Sequence, residues 1–213
     1  MTTLSDIAIL LIAAFGAGVL NTIAGGGTFL TFPALVFTGM PPVAANATSA
    51  VAVFPGYLAG AFGFRDELGG FDRKRLLRLS LITLAGGVVG SGLLLVSSNA
   101  AFSAVVPFLL LAATLAFLLG DRIRALAASH ARAVTPEGAL GLFAVSVYGG
   151  YFNGGLGIVL LALFALWGMT DLHGMNGLKN GLSFVLSSIS VAVFALAGLV
   201  AWPQALLMML AAT

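Results

Sequence analysis

The chain has 213 residues, of which 60% are apolar and 8% charged, against roughly 25% charged in an average soluble domain; this is the composition of an all-α integral membrane protein. It contains no cysteine, so disulfides, thiol catalysis and a cysteine-based metal site are excluded. The formal charge is +2, and eight of the nine Lys and Arg residues fall within 65–78 and 122–132, where they act as topology signals and not as a nucleic-acid surface.

In chain order, the apolar runs predict helices at 4–24, 45–64, 76–96, 101–119, 138–152 and 175–200, with two shorter apolar pieces at 28–38 and 156–169. The first run carries Asp6 and no preceding basic region, so it is expected to stay as a membrane helix and not to be cleaved as a signal peptide. The short pieces cover about 17 to 21 Å as helix, less than the roughly 30 Å hydrocarbon core. Each is therefore a half-helix dipping into the membrane or a short, tilted span. No charge lies between Leu79 and Gly120; this stretch reads as a hairpin turning at 97–100 that returns the chain to the side it left. The segments 65–78 and 121–137 then share one face of a multi-pass cell-membrane protein, and the positive-inside rule makes that face cytoplasmic. If the short pieces are re-entrant the two halves run parallel, and if they cross the halves are inverted; hydropathy leaves both open.

The informative interruption is Asn21-Thr-Ile-Ala-Gly-Gly-Gly-Thr28, three consecutive glycines inside an apolar run, and a weaker copy follows at Tyr151-Phe-Asn-Gly-Gly-Leu-Gly157. Irregular backbone is not tolerated against lipid, because each unpaired N–H or C=O there costs several kcal/mol. Such a segment is buried in protein or lines a wet cavity, and paired Gly-interrupted segments in two halves point to a transport site. Gly18, Asn21 and Thr38 align with Gly150, Asn153 and Thr170 at one offset, and Asn46 best matches Asn176 after a slip of register. The expectation is one transmembrane domain of two related helical repeats with Gly-broken short helices, about 4–119 and 137–213.

Gly25, Gly26 and Gly27 let backbone amides approach a ligand, and a helix beginning at Thr28 presents its positive dipole end there. That combination is an anion site without a charged side chain. The competing explanation is close helix packing through small residues. Gly154 and Gly155 repeat the pattern in the second half. Asn21, Thr28, Asn46, Thr48, Ser49, Asn153, Asn176, Asn180 and Ser183 supply neutral donors around both breaks, with interhelical hydrogen bonding as their ordinary role. A nucleotide-binding loop is rejected, because no Gly-Lys-Ser/Thr follows Gly25-Gly-Gly-Thr28.

Lys179 is the sole cation between Arg132 and the C-terminus, and a Lys at the bilayer centre costs about 2.5 to 3.5 kcal/mol on insertion scales. It either meets an anion in the site or snorkels to the interface. Asp171 and His173 could pair with it or carry a proton, although a surface loop suits them better. His130 falls in the basic segment and is expected in water.

Three segments carry a family likeness: Gly16-Ala-Gly-Val-Leu-Asn-Thr-Ile-Ala-Gly-Gly-Gly-Thr28 followed by Phe32-Pro33; Gly39-Met-Pro-Pro-Val-Ala-Ala-Asn-Ala-Thr-Ser49; and Met175-Asn-Gly-Leu-Lys-Asn180 running into Ala197-Gly-Leu-Val-Ala-Trp202. Together they resemble the sulfite exporter TauE/SafE family of membrane permeases over nearly the whole chain. The resemblance implies transport of small sulfur-containing or organic anions such as sulfite or sulfonates, with no prosthetic group. One departure is that the second half stops at Thr213, about one and a half helices short of the family pattern, which leaves a cut C-terminus or a covering partner subunit as explanations.

The leading functional expectation is a secondary transporter working by alternating access around the two breaks. A non-transporting membrane subunit and a channel-like pore needing a partner are the alternatives. An enzyme is not supported, since no base and nucleophile pair is legible in the helices. The expected partners are a small anionic substrate and the lipid bilayer, with a coupling ion and a homo-oligomer left open, and no nucleic acid.

Overall fold

A computed structural model of the chain describes residues 3–23, 25–119, 122, 125 and 138–212. Those residues form ten helices and no strand: α1 (Leu4–Ile23), α2 (Thr28–Phe37), α3 (Pro42–Gly63), α4 (Arg65–Gly69), α5 (Arg73–Val96), α6 (Asn99–Leu118), α7 (Ala139–Tyr151), α8 (Leu156–Leu166), α9 (Leu172–Leu196) and α10 (Trp202–Ala212). Helices within Leu4–Asn21, Arg73–Val96 and Leu172–Leu196 are long and apolar enough to cross a membrane. Large apolar side chains such as Leu4, Phe15, Phe37, Phe62, Val96, Leu196 and Leu210 stand exposed on the outside, the surface a bilayer would cover.

Two glycine-rich breaks turn the chain back on itself. α2 returns along α1, with Gly27 against Ala17 and Asn21, and Gly16 against Leu30. α8 returns along α7, with Gly149 against Leu156 and Gly141 against Leu163. The remaining helices fix which way each hairpin points. α3 and α9 run antiparallel, because Phe54 stacks on Phe184 at 5.4 Å while Gly60 meets Asn180 and Phe64 meets Gly177. α5 and α7 run parallel, Gly86 lying on Phe143 and Ser146, and Gly90 on Val147 and Tyr151. Each of those glycines would clash with the facing helix if it carried a Cβ, so small residues set how closely the two backbones approach.

The first hairpin therefore opens at the end that holds residues 38–42 and 97–99, and the second opens at the end that holds α4 and the start of α5. The opening helices α1 and α7 therefore run in opposite directions. Helices from the two ends of the chain interleave: α5 lies against α7, and α10 against α1. Two apolar clusters follow this exchange. One joins Leu10, Leu35, Ala50, Phe102 and Met208, and the other joins Leu79, Leu142, Leu156, Phe164 and Leu182.

Several boundaries differ from the predicted ones. The segment 65–78 is largely helical: α4 is followed by a turn, and Asp72 caps α5 by accepting the Arg75 amide at 2.9 Å, so the basic residues occupy the first turns of α5. α3 begins at Pro42, a proline suited to a first helical turn, and Asn99 Oδ1 accepts the Val43 amide at 3.0 Å. α9 begins at Leu172, capped by Asp171, and ends before Gly198, whose φ is +70°. Beyond it, residues 202–212 form α10, a helix absent from the predicted set. The expected basic loop 121–137, with His130, lies outside the described residues save for 122 and 125.

Candidate anion site

The tips of the two hairpins meet. Gly25 has φ +80°, a conformation that favours glycine, and a Cβ built on it would lie 2.7 Å from Gly157 Cα. Gly155, with φ +71°, caps α8, and a Cβ there would lie 2.6 Å from Phe29 Cζ and 2.9 Å from Ala113 Cβ. Gly26 is looser: its Cβ would sit 3.3 Å from Phe29 Cδ2. Gly154 rests on the Phe152 ring, and its carbonyl accepts the Tyr148 hydroxyl. The glycine clusters thus do serve close packing, but of one break on the other.

Side chains hold the breaks in shape. Asn21 Oδ1 accepts the Gly27 amide at 2.8 Å, which commits one N–H of the predicted donor set to the protein itself. The Gly27 carbonyl accepts the Thr31 amide at 3.2 Å, and Thr31 Oγ1 pairs with Ser49 Oγ at 2.6 Å, tying α2 to α3. Asn46 Nδ2 donates to the Tyr151 carbonyl at 2.9 Å, tying α3 to the second break. Thr48 Oγ1 accepts the Ala201 amide at 3.0 Å and so fixes the start of α10. Asn153 stands at φ +62°, with its side chain facing the Tyr57 hydroxyl of α3.

Against that ordered scaffold, a set of buried polar atoms has no partner in the protein: Thr28 Oγ1, Asn46 Oδ1, Tyr57 Oη, Asn153 Oδ1, Lys179 Nζ and Ser183 Oγ among them. Each unsatisfied buried group costs on the order of 1–3 kcal/mol. Several such groups on elements that converge at one crossing are what a polar ligand site looks like before the ligand is considered.

Lys179 is 0% exposed, so it does not snorkel. Asp171 does not pair with it; its carboxylate caps α9, accepting the amides of His173 at 3.1 Å and Gly174 at 3.0 Å, and both Asp171 and His173 are exposed. Asn176 sits part-buried and donates to the Leu172 carbonyl at 2.9 Å. Asn180 lies under Gly60 and, with Asn21, provides the amide groups of a cavity of about 440 Å³ walled by Gly18, Gly56, Gly60, Gly63 and Ala212. The structure thus brings Asn21, Gly25 to Thr28, Asn46 and Asn153 to Gly155 around the meeting breaks, places Asn180 at the cavity, and gives Thr48 and Ser49 to interhelical bonds.

Residues not singled out from the sequence are Tyr57 and Tyr148. A tyrosine in the middle of an uncharged apolar helix was their available signal, since a buried hydroxyl ordinarily needs a partner.

Comparison with known proteins agrees with this architecture. The family described as sulfite exporter TauE/SafE matches residues 10–213. A probable membrane transporter protein ORF9 of a Sinorhizobium species is 30% identical over 208 residues, covering 95% of this chain and 77% of that protein. A probable membrane transporter protein of Haemophilus influenzae is 32% identical over 217 residues, covering 95% of this chain and 79% of that one. No solved structure matches the chain significantly. Both relatives are named as membrane transporters and not as enzymes; with a match over nearly its whole length, the chain is a membrane permease and belongs to the sulfite exporter TauE/SafE family.

Proposed function

We propose that the chain is a multi-pass secondary transporter of small sulfur-containing or organic anions, such as sulfite or sulfonates, working by alternating access around the meeting hairpins. The observation that carries this reading is the contact of Gly25 with Gly157, together with buried polar atoms on α2, α3 and the second break that have no hydrogen-bond partner. Neutral donors and two helix N-termini suit an anion, and Lys179 adds a buried positive charge. The two hairpins enter from opposite ends, so rocking one half against the other would expose the same crossing to alternate sides. We read the halves as inverted repeats in the cell membrane, with 65–78 and 121–137 cytoplasmic.

A ligand-stabilisation screen of the purified chain with sulfite, sulfate, thiosulfate, sulfoacetate and carboxylate analogues tests this. Saturable stabilisation by a sulfur oxyanion or sulfonate is expected. Stabilisation by none of them would remove the anion assignment.

A further inference from the structure

One face of α9 buries polar atoms that have no hydrogen-bond partner in the protein. Lys179, Ser183, Ser187 and Ser190 are spaced at i, i+4, i+8 and i+11, an arc roughly 80° wide at 100° per residue. All four are at most 3% exposed, and Lys179 Nζ and all three serine hydroxyls lack a protein partner. This is unusual for helix hydroxyls, which ordinarily donate to the carbonyl four residues back. Ser91, Ser97, Thr114, Ser146 and Ser188 all do so here. The three stripe serines do not, so their hydroxyls are turned to something other than their own helix.

Neither neighbouring long helix accounts for the stripe. Gly177, Asn180, Gly181 and Phe184 face α3 and α4, and Leu186 and Ile189 face Gly87 of α5. The stripe occupies the arc between those two faces and spans about 16 Å at 1.5 Å per residue, roughly half the hydrocarbon thickness. Among the described residues, Lys179 is the one buried charged side chain. A buried ammonium needs a counter-charge and a buried hydroxyl needs an acceptor; an anion supplies both.

We infer that the Lys179, Ser183, Ser187 and Ser190 face of α9 is a hydroxyl-lined anion track, and that it takes singly charged anions in preference to doubly charged ones. One buried cation with one monoanion leaves the track neutral. A dianion would leave a net negative charge in a medium of low dielectric, with no second buried cation among the described residues to offset it. This rests on the anion-permease reading and narrows its substrate class to monoanions such as alkylsulfonates.

The test uses the purified full chain, with methanesulfonate as the monoanion and sulfate as the dianion, in thermal-shift titrations and in proteoliposome uptake. Methanesulfonate should bind more tightly than sulfate by about tenfold or more, and Lys179→Gln should weaken methanesulfonate binding by about fivefold or more without lessening that preference, because losing one positive charge costs a dianion at least as much as a monoanion. Ser187→Ala should lower methanesulfonate uptake while leaving the thermal midpoint unchanged or raised, because it deletes a hydroxyl with no protein partner. Equal or tighter sulfate binding would overturn the monoanion preference while leaving the permease reading intact. A Ser187→Ala protein with normal uptake, or with a lowered midpoint, would overturn the track. Binding of neither anion, nor of any sulfur anion, would end both readings together.

Discussion

Gly25 and Gly157 belong to hairpins that enter the protein from opposite ends, yet a Cβ on Gly25 would fall 2.7 Å from Gly157 Cα. Two backbones meet there with no side chain between them. That contact explains why the apolar run is interrupted twice, and it locates the interruption at the crossing of the two halves.

Gly25→Ala should therefore destabilise the protein by about 2 to 5 kcal/mol, combining the left-handed conformation with overpacking against backbone. Gly39→Ala is the control: Gly39 also has positive φ, at +88°, but a Cβ there meets nothing within 4 Å, so about 1 to 2 kcal/mol is expected. Detergent unfolding midpoints of the two variants check this; equal midpoints would show that the crossing is not tight.

Gly26 separates packing from binding. Its Cβ would approach Phe29 only to 3.3 Å and its φ is not positive, so Gly26→Ala should fold. If the glycine admits the anion, uptake falls by about tenfold or more through lost approach to the backbone. Normal uptake by a stably inserted Gly26→Ala protein would take Gly26 out of the site.

Asn21 and Asn46 each serve one break, with different partners. Asn21→Ala leaves the buried Gly27 amide unpaired and should cost about 1 to 3 kcal/mol. Asn46→Ala orphans only the Tyr151 carbonyl, and an under-satisfied carbonyl is better tolerated than an N–H. The thermal midpoint of Asn21→Ala should be the lower of the two.

Topology can be read directly, because the chain has no cysteine of its own. Single cysteines at Gly70 and Gly168 should react with a membrane-impermeant thiol reagent from the cytoplasmic side, and those at Gly39 and Ser98 from the opposite side. Labelling of Gly70→Cys and Gly168→Cys from opposite sides would refute the inverted arrangement.

Much of this fold was legible in the sequence. The short helices at 28–38 and 156–169 are observed as Thr28–Phe37 and Leu156–Leu166, because glycine breaks on one side and Gly39 or Gly168 turns on the other bound them sharply. The opposite directions of the two hairpins were not legible, since hydropathy shows that an apolar segment exists but not whether it turns back along its neighbour. Helix α10 escaped notice because Pro203 and Gln204 stand at its start and it has 11 residues, too few for a spanning signal. Asn21, Asn46 and Lys179 were found as polar residues in apolar surroundings. Ser187 and Ser190 were missed for a physical reason: a helix serine normally satisfies itself on its own backbone, and only coordinates reveal that these two do not.

Lys179 tests the central claim most directly. It is wholly buried and unpartnered, so a merely structural lysine would be a liability, and Lys179→Met should keep or raise the thermal midpoint by relieving an uncompensated charge. Counterflow of a labelled sulfur anion should be measured in proteoliposomes containing only the purified chain, wild type beside Lys179→Met. Saturable counterflow by the wild type, reduced by about tenfold or more in a variant at least as stable, is the expected result. Undiminished counterflow by Lys179→Met, or none by the folded wild type, would contradict a lysine-centred anion permease.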